Sequence, residues 1–237
     1  METCFVGGFG GDVAIQDNGN FLYVFSGCDG HPLTDYVYSR MFDSLGNPLT
    51  PIQKITTANP MTVWLFPVII PDRRGGYLAA WTDSRNQEDE NGRRDLFLQR
   101  FDSLGKPTGI NFRVNNFRSS KGFEEVSIGI ACDGQRVYVV WSDRRDFNNW
   151  NWDIYAQVMD LDLVGTYIIG DVNFDQQISL ADVIFSVSYL FRGNPLPEGD
   201  ILVADVNGDC TVSLSDVIYM VNWVFGKGPP FVPGCLP

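Results

Sequence analysis

The feature that most constrains this chain is a twelve-residue pattern that occurs twice, DVNFDQQISLAD at 171–182 and DVNGDCTVSLSD at 205–216. Counted from the first Asp, oxygen-bearing side chains stand at positions 1, 3, 5, 9 and 12 of each copy. The first copy gives Asp171, Asn173, Asp175, Ser179 and Asp182; the second gives Asp205, Asn207, Asp209, Ser213 and Asp216. A hard divalent cation takes six to eight oxygens from one tightly wound segment, and this is the spacing of calcium loops. Position 7 contributes its backbone carbonyl, so Gln177 and Thr211 are free to differ. Ser at position 9 is expected to act through a water, and position 12 carries Asp in place of the longer Glu. Asp and Asn also crowd into turns for reasons unrelated to metal. Crowding alone does not account for five matched positions in two copies, each running straight into an apolar segment. Two Ca²⁺ ions are therefore expected, one per loop.

The segments that follow, VIFSVSYLF (183–191) and VIYMVNWVF (217–225), align without a gap. Apolar positions recur at helical spacing, which predicts two amphipathic helices with Ser186, Ser188 and Asn222 on the outer face. Each ends at a Gly/Pro break, FRGNPLP and FGKGPP. Two such loop–helix units can bury against each other the stripes that neither buries alone.

On these residues the segment 168–237 resembles a type I dockerin, or the dockerin-like duplicated modules at the C-termini of secreted bacterial proteins. The resemblance implies a small three-helix fold holding two calcium ions, secretion, and a cohesin-like module or cell-surface component as partner. One departure stands out. Cellulosomal dockerins lean on polar pairs at loop positions 10 and 11, whereas this chain has Leu180–Ala181 and Leu214–Ser215. That puts the cohesin expectation at issue and leaves the calcium expectation untouched.

Charge is distributed accordingly. The chain of 237 residues carries a net charge of −12, which argues against nucleic acid and anionic membrane surfaces as partners. Residues 168–237 hold eight Asp/Glu against two Lys/Arg, and six of the eight acids are at ligand positions. No apolar stretch approaches the roughly 20 residues needed to span a bilayer, and no charged n-region with an apolar h-region is visible. Five cysteines leave at least one without a partner in the chain. Cys210 occupies loop position 6, usually Gly, and Cys235 lies in the tail PGCLP. A tail folding back would join them in a disulfide worth about 3 kcal/mol by loop closure; the alternative is two free thiols. Cys4, Cys28 and Cys132 suggest no pairing.

Residues 1–167 repeat at a period of roughly 58–60 residues. FDSLGNP (42–48) returns as FDSLGKP (101–107) and, worn, as MDLDLVG (159–165). GNFLYVFSG (19–27), GGYLAAWTDSR (75–85) and QRVYVVWSDRR (135–145) stand upstream of them. Each unit reads as short alternating strands between turns. A four-stranded unit at fixed period predicts an all-β repeat array, partially β-propeller-like, of about three units, loosely similar to propeller-like repeats of secreted bacterial proteins. Closed propellers use about four to eight blades, and the third unit lacks its last strand unless GTYII supplies it. Three accounts compete: a C-terminal fragment of a longer secreted protein, which is the one expected; an open arc that associates to complete a ring; or a sandwich-like stack.

Chemistry has few footholds in this region. The pattern W-[ST]-D-x-R, as Trp81, Asp83, Arg85 and again Trp141, Asp143, Arg145, invites a glycosidase reading. Yet features that recur with a repeat usually build the repeat, because a reaction needs one site. His31 is the single histidine, which excludes His-centred triads. The loop DRRDFNNWNWD (143–153) offers Trp150 and Trp152 as candidate stacking contacts for carbohydrate or protein. The expectation is thus a secreted, non-catalytic modular protein, a β-repeat binding region followed by a calcium-dependent docking or anchoring module. The alternative is the end of a polysaccharide-degrading enzyme carrying the same module.

Overall fold

The computed structural model describes residues 10–28, 35–56, 66–83, 95–115, 127–143, 152–166, 168–173, 177–192 and 201–232. The chain divides into two compact units, Met1–Thr166 and Tyr167–Pro237.

The first unit is built of three antiparallel sheets. Strands β1 (Gly11–Ile15), β2 (Phe21–Cys28), β3 (Asp35–Phe42) and β4 (Gln53–Lys54) form one sheet in the order β1-β2-β3-β4. Strands β5 (Val68–Pro71), β6 (Tyr77–Asp83), β7 (Asp95–Phe101) and β8 (Pro107–Arg113) repeat that order. The third sheet, β9 (Ile128–Cys132), β10 (Arg136–Asp143) and β11 (Asp153–Asp160), is ordered β11-β10-β9. Among the described residues it has no fourth strand, in line with the worn third repeat of the sequence. Residues 161–166 turn instead, Val164 N–H donating to the Leu161 carbonyl at 3.3 Å, and the Gly165 carbonyl accepts from Ile110 N–H of β8 at 3.1 Å.

Register is the same in every unit. Phe25 faces Tyr38, Trp81 faces Phe97, and Trp141 faces Tyr155. The middle sheet is buried on both faces, which is why YLAAW reads as a continuous apolar run rather than as an alternation. Tyr77, Ala79 and Trp81 point toward the first sheet and join Leu22, Val24, Val37 and Met41. Leu78 and Ala80 point the other way and join Val137, Val139 and Trp141. Tyr77 is sealed there, its hydroxyl on the Met41 sulfur at 3.7 Å and its pKa pushed up to about 12 by burial. The first strands of the three sheets run side by side, β1 next to β5 and β5 next to β9, with Asp12 Oδ2 accepting Ile69 N–H at 3.0 Å.

The FDSLG repeats are turn devices. Asp43 Oδ1 accepts the N–H groups of Leu45 and Asn47 at 2.9 and 2.8 Å, and Asp102 Oδ1 those of Leu104 and Lys106, both at 2.9 Å. Gly46 and Gly105 take the left-handed backbone that closes each turn, φ +85° and +75°. Asp133 does the same between β9 and β10, accepting Gln135 and Arg136 N–H and the Tyr138 hydroxyl.

The second unit has α1 (Leu180–Arg192), a 3₁₀ turn (Ile201–Ala204) and α2 (Leu214–Val224). Its core gathers Val172, Val183, Ala204, Val206, Val217 and Met220. The expected outer face of α1 is corrected here: Ser186 is fully buried, with its hydroxyl 3.6 Å from the Met220 sulfur. Ser186 and Met220 are equivalent positions of the two copies, so at this contact a small side chain meets a large one. The tail folds back, Val232 N–H donating to the Val206 carbonyl at 3.0 Å and Phe231 packing on Trp223 at 5.0 Å between ring centroids. Among the described residues no helix is long and apolar enough to cross a membrane.

Two outcomes are expected. Trp81→Ala removes a fully buried side chain and lowers stability by about 3–5 kcal/mol, read as a lower urea midpoint. The Asp133 carboxyl, held down to about 2 by the Arg136 and Gln135 N–H groups, stabilises its turn fully above the ordinary carboxylate value of 3.8. That contribution disappears as pH falls through about 2; an NMR titration of Asp133 in Tyr138→Phe is expected to show its midpoint moved upward.

Candidate metal centre and docking face

The second loop is described throughout. Asp205 is fully buried; its Oδ1 accepts Gly208 and Asp209 N–H at 2.9 and 3.1 Å, and its Oδ2 accepts Cys210 N–H at 2.8 Å. Asn207 Oδ1 accepts Asp209 N–H, and Asp209 Oδ1 accepts Thr211 N–H, each at 2.9 Å. These bonds wind the segment so that side chains at positions 1, 3 and 5 belong to one coil. At its end Asp216, also fully buried, receives Val206 N–H on Oδ1 at 3.1 Å and Ser213 N–H on Oδ2 at 2.9 Å. Ser213 is at once loop position 9 and the N-cap of α2, with Asp216 completing a capping box. One pair of residues therefore ends the loop and starts the helix.

The first loop follows the same plan where it is described. Asp182 Oδ1 accepts Asn173 N–H at 3.1 Å, Asp182 Oδ2 accepts Ser179 N–H at 2.7 Å, and Ala181 N–H donates to Ser179 Oγ at 3.1 Å. Asp171, Asn173 and Asp182 are buried, Ser179 is half-buried, and Gln177 is exposed with Thr211 of the other loop. Asp175 lies outside the described residues.

Burying carboxylates costs several kcal/mol per ion unless a cation balances them. Asp171, Asp182, Asp205 and Asp216 are all at most 3 % exposed. An all-oxygen set of Asp, Asn, Ser and backbone carbonyl groups suits calcium rather than a softer metal. Among the described residues no three His, Cys, Asp or Glu side chains lie together as a metal cluster.

Cys210 holds a left-handed backbone, φ +67°, at the position where calcium loops ordinarily place Gly. It is disulfide-bonded; Cys235, the partner expected for it, lies outside the described residues. Cys132 is a buried free thiol whose pKa burial pushes up.

The helices show what the sequence reading missed. Leu180, Ile184, Val187 and Phe191 are exposed along one side of α1, and Leu214, Ile218 and Phe225 along the equivalent side from α2 onward. The 3.6-residue period was legible, but it could not say which of two apolar stripes faces inward. Leu180 and Leu214, the departures from the polar dockerin pairs, open these two stripes.

In the first unit Trp81 is fully buried and Trp141 nearly so, inside the sheet–sheet cores. Asp83 pairs with Asp95 and Asp143 with Asp153 at the strand ends; Arg85, Arg145 and Trp150 lie outside the described residues. Trp152 is exposed. A cavity of about 860 Å³ opens where the ends of β1, β5 and β9 converge, with Gln16, Asp17, Arg73 and Ser103 in its wall. No sequence signal marked it, because its wall comes from three separate repeats.

The dockerin type I domain model matches residues 169–223, the segment that holds both loops, α1 and nearly all of α2. That segment is a type I dockerin module, of a calcium-binding family. A comparison with curated proteins returns no match. Among solved structures the chain is similar to an endo-arabinase from Bacteroides thetaiotaomicron VPI-5482, at 13% identity and a TM-score of 0.40 over 63% of this chain and 55% of that one. It is also similar to an alpha-L-arabinofuranosidase from Lactobacillus brevis, at 15% identity and a TM-score of 0.39 over 63% and 48%. The chain thus spans about half the length of these enzymes.

Ser213→Ala removes the N-cap oxygen and half of the capping box. It is expected to cost about 1 kcal/mol of helix stability, read as a lower melting temperature of the dockerin transition in calorimetry.

Proposed function

We propose that this protein is a secreted, modular, non-catalytic binding protein whose dockerin, folded around two calcium ions, docks it through the two exposed apolar stripes. The observation that carries the reading is the coupling of each loop to its helix: Asp182 and Asp216 close the loops and sit in the first turns of α1 and α2, the helices that present the stripes. Metal binding would then supply folding free energy to the docking face. The equivalence of Ile184 and Ile218 favours a partner with an apolar surface, cohesin-like in shape but not relying on Ser-Thr recognition. The Cys210–Cys235 disulfide fastens the tail over the second loop. The three sheets are read as successive blades of a partial propeller, with β1, β5 and β9 innermost. Trp81 and Trp141 serve as core residues of the blades, and the loop bearing Trp150 and Trp152 is the candidate contact for carbohydrate or protein.

Calorimetric titration of Ca²⁺ into the metal-stripped full chain is expected to give two sites per chain. Asp182→Ala and Asp216→Ala should each leave one. Two sites persisting in either variant would defeat the assignment of loops. In binding to immobilised cohesin modules, Ile184→Lys/Ile218→Lys is expected to lose at least tenfold in affinity while binding both ions.

A further inference from the structure

Cys210 stands where calcium loops ordinarily place Gly, and the reason for Gly there is steric. The turn requires a left-handed backbone, which Cys210 adopts at φ +67°. A Cβ disfavours that conformation, so an unrestrained loop with cysteine here populates it less than a loop with glycine does. The conformation matters because it aims the Cys210 N–H at Asp205 Oδ2, 2.8 Å away. Asp205 is fully buried, and its other oxygen accepts Gly208 and Asp209 N–H. Losing the turn at Cys210 therefore frees one oxygen of the residue at loop position 1 from its tether.

Two observations show how the conformation is held without glycine. Cys210 is disulfide-bonded, and the tail is tied to the same loop, Val232 N–H donating to the Val206 carbonyl at 3.0 Å. Val206 precedes Cys210 in the loop, and Val232 precedes Cys235 in the tail. The backbone tie and the proposed Cys210–Cys235 bond thus restrain one stretch of loop from its two ends, and a cross-link removes competing conformations from the chain before it winds. Cys210 is also exposed, and exposed disulfides are the labile ones. The first loop carries Gln176 at this position and contains no cysteine. Cys132, a free thiol, is buried in the other unit.

We propose that the Cys210 disulfide is a redox control on the second calcium loop: oxidised, it holds the turn that presents Asp205 to the ion; reduced, it lets that turn relax, and the second site loses affinity while the first keeps it. The reactant is a dithiol. One of its thiolates attacks a sulfur of the bond and expels the other sulfur as thiolate, and its second thiol then resolves the mixed disulfide. The protein gains two electrons and two protons as two thiols, and the reductant leaves as its own disulfide. The inference rests on the reading of calcium in the loops and is independent of the docking partner and of the sheets.

The test is calorimetric titration of Ca²⁺ into the metal-stripped full chain, oxidised and after dithiothreitol, with the state of Cys210 read by alkylation and mass spectrometry. Reduction is expected to leave one site unchanged and to weaken the other about tenfold, the fold-change that the left-handed cost of a non-glycine residue corresponds to. Cys210→Ala is expected to bind as the reduced protein does under both conditions. Cys210→Gly, which needs no cross-link to hold the turn, should bind both ions tightly and ignore the reductant. Two unchanged sites with Cys210 shown reduced overturn the inference and leave the calcium reading standing. Equal weakening of both sites overturns it, as does a response to dithiothreitol that persists in Cys210→Gly, because the effect then lies at another cysteine. Cys210→Gly binding as weakly as Cys210→Ala overturns the backbone argument and the inference with it. No binding in either redox state overturns the calcium reading as well.

Discussion

The first unit depends on the burial of its middle sheet from both sides. β6 and β7 carry large side chains alternately to the first and third sheets, Trp81 and Phe97 one way, Leu78 and Leu98 the other. Neither flanking sheet meets the other's core, so each owes its inner face to the middle one. This makes the repeat one-dimensional in its energetics, a sheet being stabilised by its neighbours rather than by a shared centre. It also explains why the ends of the row carry exposed apolar residues while the middle carries none on those strands.

The second unit rests on a different economy. Its core is small, a cluster of six buried apolar residues with partly buried ones around them. A module of this size gains from fixed loops more than from hydrophobic area. The loop carboxylates do two things at once: they accept the backbone N–H groups of the winding, and through Asp182 and Asp216 they tie each loop to the start of its helix. A charge at the helix start is also favoured by the helix dipole.

Most of the local structure was legible in the residues. The FDSLG repeats announced turns because Asp and Gly at that spacing satisfy backbone N–H groups and a left-handed φ by themselves. The loops announced their winding because Asp and Asn at that spacing accept backbone N–H groups within one twelve-residue segment. The helices announced their period but not their orientation. Ser186 looked like a surface residue, yet it is buried against Met220 while Ile184 on the same helix is exposed. The cavity at the ends of β1, β5 and β9 was invisible for the same reason: its wall is assembled from positions some 60 residues apart.

The sequence by itself determined the dockerin loops, the repeat period and the turn chemistry, because each depends on interactions between residues a few positions apart. Only the tertiary structure decided which helix stripes face solvent, that the third sheet stops at three strands among the described residues, and that equivalent positions such as Leu96 and Ile154 differ so widely in exposure. A repeat gives equal side chains to every unit, but burial depends on whether a neighbour is present, and that is a property of the assembled fold.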